Sequence, residues 1–195
     1  MNFLAHIFLS GKDEDLTIGN FIADSIKGKK YLNYPKGIQK GILLHRAIDY
    51  YTDTHPIVRK STSRLFKNYS HYSAVIVDIF YDHFLASNWN RYSDVPLEEY
   101  IANFYLLLQK NFEVLPRTVQ QFYPYMVEEN WLLSYASIPG IQRILYQMNR
   151  RTGGRSKMDE AVKELKELYP EFEADFTAFF PDLQEFSKQK IKNLQ

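Results

Sequence analysis

The chain has 195 residues, carries 24 Lys and Arg against 23 Asp and Glu for a formal net charge of +1, and contains no cysteine. That length suits one domain with one substantial core, and the near-neutral charge gives no overall argument for a nucleic-acid partner. Without cysteine there is neither a disulfide framework nor thiolate ligation, so a metal must be held by His, Asp, Glu, Asn or water, which favours manganese, magnesium or iron over a structural zinc.

Apolar residues recur at three and four positions almost throughout and alternating patterns are scarce, so the spacing predicts an all-α fold. In chain order the helices fall at 2–9, 15–27, 35–52, 56–68, 71–90, 96–114, 117–134, 138–151, 157–168 and 171–192. Gly28 follows the second, Pro56 opens the fourth, and Pro96 opens the sixth after Ser93 and Asp94. The opening MNFLAHIFLSG is short, lacks a basic start and contains His6, so it reads as a core helix rather than a signal peptide. No run is long enough to span a membrane, and the expected compartment is the cytoplasm. Thr152-Gly153-Gly154 marks a break. Beyond it, residues 157–195 form an amphipathic helical tail, with breaks or bends at Pro170 and Pro181, that packs on the body or covers the site.

Three pairs of ligand-type residues are spaced by four: Asn20 with Asp24, His45 with Asp49, and Asp78 with Asp82. Four residues is about one helical turn, so each pair projects from one face. In AVIVDIFYDHFLA, Asp78, Asp82 and His83 stand in an almost wholly apolar helix. Two carboxylates one turn apart repel, and burying an unpaired charge costs several kcal/mol or more, so a cation is needed to offset both; arginine partners are the alternative to a metal. In GILLHRAIDYYTDTHP, His45 and Asp49 share a face that continues to Asp53 and His55. Asn20 and Asp24 read equally as helix-end residues beside Gly28, and His6 as a core histidine or a ligand. A carboxylate and imidazole site with open positions points to metal-assisted phosphoester hydrolysis, since no G-x-S-x-G elbow supports an acyl-enzyme. Arg46 and Lys27 either hold the phosphate's remaining oxygens or are solvated surface charges.

The stretches MNFLAH, GNFIAD, GILLHRAIDYYTDTHP, VDIFYDHFLASNW, EENWLLSY and IQRILYQMNRR, in this order from residue 1 to about 151, resemble the acyl carrier protein phosphodiesterases. The resemblance implies a helical bundle related to the His-Asp metal phosphohydrolases, and a manganese-dependent enzyme that removes the 4′-phosphopantetheine arm from holo acyl carrier protein. It implies metal ligands at Asp24, His45, Asp49, Asp78, Asp82 and His83, with His6 and Asn20 behind them and Arg46, Lys27, Asp53 and His55 as substrate contacts. An acidic carrier protein as partner calls for a basic docking face, and Lys27, Lys29, Lys30, Lys36 and Lys40, or Arg143, Arg150, Arg151 and Arg155, offer one. Two other readings are a phosphohydrolase acting on a nucleotide or other small phosphoester, and a non-enzymatic carrier-binding protein with a buried polar network. Oligomeric state is not legible.

Overall fold

A computed structural model describes residues 1–194, and among these there is helix and no strand. Ten α-helices follow one another: α1 (Phe3–Leu9), α2 (Glu14–Ile22), α3 (Lys36–Thr54), α4 (Pro56–Tyr69), α5 (Ser73–Ser87), α6 (Leu97–Lys110), α7 (Arg117–Glu128), α8 (Ile138–Arg151), α9 (Val162–Glu167) and α10 (Tyr169–Leu194). Short 3-10 turns join several of them. No helix among the described residues is long and apolar enough to cross a membrane.

Helix starts follow local chemistry. Asp13 caps α2 by accepting from the Leu16 N–H, Ser137 caps α8 by accepting from Gly140, and His55 caps α4 through Nδ1 with Pro56 at the first helical position. Expected helices 15–27 and 117–134 run shorter: α2 closes in a 3-10 turn at Ala23–Ser25, and α7 stops at Glu128, ahead of a separate 3-10 turn at Leu133–Ala136.

α5 is the hub. Ile76, Val77, Ile79, Phe80, Tyr81, Phe84 and Leu85 are fully buried on several of its faces, because α1, α4, α8 and α10 all pack around it. α2 and α3 cross closest. A Cβ on Gly19 would stand 2.2 Å from the Ile38 carbonyl oxygen and 2.8 Å from the Gly41 Cα, so the two backbones touch and only hydrogen fits there. This crossing sets the depth of the functional residues on both helices.

The tail is the expected helical pair, α9 and α10, but without a break at Pro181. α10 is continuous through Pro181, because Phe172, Phe176, Phe179, Phe180 and Leu183 are fully buried against the body and this packing outweighs the lost N–H. Pro170 sits in its first turn, where no hydrogen bond is lost. Asp175 on the same helix is buried and accepts from Ser61 Oγ at 2.8 Å, from Lys60 Nζ at 3.0 Å, and from Arg64.

Candidate metal centre

Asn20, the last turn of α2, is fully buried and organises two imidazoles. Its Nδ2 donates to the His6 carbonyl oxygen at 2.8 Å and to Ser10 Oγ at 2.9 Å, which turns its Oδ1 toward the rings. That oxygen can only accept. His6 Nδ1–H therefore donates to Asn20 Oδ1 at 2.8 Å, and His45 Nδ1–H donates to the Asn20 carbonyl oxygen at 2.8 Å. With both Nδ1 atoms engaged, both Nε2 atoms turn toward one place, and the rings stack 3.9 Å apart.

Carboxylates meet them there. His45 Nε2 lies 3.0 Å from Asp49 Oδ2, one turn along α3, and 3.1 Å from Asp24 Oδ1 in the turn after α2. His6 Nε2 lies 3.1 Å from Asp49 Oδ1 but out of line for a hydrogen bond, so a buried nitrogen lone pair is left beside an anionic oxygen. Two lone pairs at that distance repel unless a cation shares them. Cis ligands of an octahedral ion with bonds of about 2.1 Å stand about 3.0 Å apart, so the donor set fits one divalent ion. His6, His45 and Asp49 form a group whose ligand atoms all lie within 4.8 Å of one another.

The electrostatics describe a cluster poised for a cation. Burial opposes an imidazolium at His45, yet its bonds to Asp24 and Asp49 outweigh that and hold its pKa up at about 9. Burial and the neighbouring His45 charge push His6 down to about 4. Asp49 is pushed up by burial, but the two imidazoles win and hold its carboxyl far below the usual range. The hydrogen bond from His45 lowers Asp24.

Of these residues Asp24, His45 and Asp49 open onto a cavity of about 570 Å³, which His6 does not itself line. Asp24, His45, Asp49, Asp53 and Asp78 line one side; Phe122, Trp131, Ile144 and Met148 furnish an apolar wall, with Phe122 and Trp131 stacked at 5.7 Å. Burial raises the carboxyl of Asp53.

The structure brings Asp24, His45, Asp49 and Asp78 to one cavity and places the other expected ligands elsewhere. Asp78 accepts from the Met1 α-ammonium at 2.8 Å; burial nevertheless raises its carboxyl. Asp82 accepts from the backbone N–H groups of Asn2 at 3.0 Å and Leu4 at 2.7 Å, capping α1 from across the core. Burial outweighs those bonds and the Met1 charge and raises its pKa to about 7. Asp82 is fully buried and does not line the cavity. His83 is turned away on α5, with Nδ1 donating to the Tyr135 carbonyl oxygen at 2.7 Å and Nε2 3.1 Å from the Tyr169 hydroxyl.

Of the expected substrate contacts only Asp53 lines the cavity. Arg46 Nη2 donates to the carbonyl oxygens of Ile26 and Gly28, and its guanidinium covers Tyr31. Lys27 is exposed outside the cavity, and His55 caps α4 with Nε2 3.5 Å from Asp182. Met1, Asn2, Phe122 and Trp131 line the cavity with no signal in the local sequence, since they come together from the start of α1, from α7 and from the turn after α7. No residue beyond Arg151 lines it, so the tail packs on the body without covering the site.

No solved structure matches the chain. Among curated proteins, one from Photorhabdus laumondii is 30% identical over 193 residues, covering 97% of this chain and 96% of its own. One from Escherichia coli is 30% identical over 194 residues, covering 97% and 99%, and one from Pectobacterium atrosepticum is 29% identical over 189 residues, covering 96% and 98%. All three are named acyl carrier protein phosphodiesterase. The family model for acyl carrier protein phosphodiesterase matches residues 1–183, and with relatives at this identity over nearly the whole length, the chain belongs to that family.

Proposed function

We propose that the protein hydrolyses the phosphodiester linking the 4′-phosphopantetheine arm to the serine of holo acyl carrier protein, releasing the apo protein and phosphopantetheine. The observation that carries the reading is the convergence of His6, His45 and Asp49, with Asp24 beside them, where His45, Asp49 and Asp24 line a cavity in a chain of this family. His6 Nε2, His45 Nε2, Asp49 and Asp24 would hold the ion, and Asn20 orients both imidazoles by accepting their Nδ1 protons. Two imidazoles and two carboxylates without thiolate suit manganese, with magnesium or iron as substitutes. When bound, such an ion acidifies water from its pKa of 15.7 toward about 7 and polarises a phosphoryl oxygen. His45 must yield its proton as the ion enters, since its Nε2 is shared between the two roles. The apolar wall of Phe122, Trp131 and Met148 receives the arm and excludes water beside the ester.

The test is to incubate metal-stripped protein with holo acyl carrier protein, with and without manganese, and to follow intact mass. Manganese-dependent loss of the phosphopantetheine mass is expected. No conversion by protein that binds manganese tightly would assign the site to another phosphoester.

A further inference from the structure

Arg143, Gln147 and Arg151 recur at four-residue spacing on α8, so they share one face of that helix, and all three line the cavity onto which His45 and Asp49 open. Among the described residues the side chains of Arg143 and Gln147 make no hydrogen bond or ion pair, and the one hydrogen bond of the Arg151 guanidinium is to the Met148 sulfur at 3.6 Å. Four carboxylates, Asp24, Asp49, Asp53 and Asp78, share the same cavity, yet none is paired with either arginine.

A phosphodiester entering this cavity is an anion approaching a floor of carboxylates, and it needs cations on its other side. Guanidinium groups present a planar fork of donors that matches phosphate oxygens. Eight residues along a helix is about 12 Å, so two long side chains flanking Gln147 can close on one phosphate between them. Arg46 and Lys27 cannot serve, because one is bound to backbone carbonyl oxygens and the other lies outside the cavity.

We propose that Arg143 and Arg151 of α8 hold the substrate's phosphate oxygens opposite the metal ligands, with Gln147 as a neutral donor between them. The proposal rests on the phosphodiesterase reading for its substrate, but the phosphate subsite itself is separately testable. Arg143→Gln, Arg151→Gln and the double variant are compared with wild type, and Arg150→Gln, an exposed residue outside the cavity, serves as control. Three quantities are read: inorganic phosphate binding by calorimetry on manganese-loaded protein, hydrolysis of bis(4-nitrophenyl) phosphate, and hydrolysis of holo acyl carrier protein.

Each arginine variant is expected to weaken phosphate binding and lower kcat/KM for both diesters by about 10- to 100-fold, with manganese affinity and helical content unchanged. Arg151→Lys should recover part of the loss by keeping the charge without the fork. Unchanged phosphate binding and small-diester turnover, with only the carrier protein's KM raised, would overturn the proposal and make the stripe a protein-docking surface. Wild-type protein that converts no carrier protein, yet binds phosphate through these arginines, would sink the carrier-protein reading and leave the subsite standing.

Discussion

At the scale of single residues, Asn20 is the side chain on which the centre turns, because one amide accepts from His6, and its own backbone carbonyl accepts from His45. Groups that hold metal-ligating imidazoles in one tautomer govern affinity although they never touch the ion. Asn20→Leu is expected to weaken manganese binding by about 10- to 100-fold while the helices remain, as calorimetry and circular dichroism will read. His45 sets the pH dependence. Its folded pKa of about 9 lies above the ordinary 6.5, so in metal-free protein its contribution to stability is full below 6.5 and is lost as pH rises through 9. Asp24 and Asp49 are depressed, so their contribution is present above the usual carboxylate range and fades on acidification. An ion held by His45 Nε2 would take the place of the proton there. Manganese affinity should therefore climb with pH up to about 9, at roughly tenfold per unit for one proton released. Titrations at pH 6.5 and 8.5 that give one affinity would contradict this.

At the scale of helices, the α2–α3 crossing decides whether those residues meet at all. Gly19 precedes Asn20, and a methyl group there would drive into the Ile38 carbonyl oxygen at 2.2 Å. Because the obstruction is backbone, α2 must lift away from α3 and carry Asn20 off His45. Gly19→Ala is expected to lower melting temperature and to reduce metal affinity together. A Gly19→Ala variant with unaltered manganese affinity would show that the crossing does not position the site. The same scale explains Pro181, where local chemistry argues for a stop and the buried phenylalanines of α10 override it.

For the whole molecule, the tail and the centre are separable. Asp175 ties α10 to α4 through Ser61, Lys60 and Arg64, none of which lines the cavity. Asp175→Ala leaves a half-buried Arg64 without its carboxylate and should cost about 3 kcal/mol in denaturant unfolding, with manganese affinity unchanged in the folded protein. Loss of metal binding in that variant would mean that the tail supports the centre after all.

The sequence by itself determined the helical class, the near-neutral and thiol-free chemistry, and the His45 and Asp49 pair, because each depends on composition or on one turn of one helix. Asp24 was singled out by its spacing from Asn20, although it stands in the 3-10 turn after α2 and not on that helix. The tertiary structure alone decided that His6 joins the pair, since a ligand and a core histidine have the same local pattern and only the partner helix distinguishes them. It also decided the fate of Asp82. A carboxylate in an apolar helix demands a compensating group, and sequence could state that demand, but the group proved to be the N–H donors of a helix 78 residues away in the chain. Periodicity assigns a residue to a face; which faces meet is settled by packing, and the α8 arginines reach the cavity only through that packing.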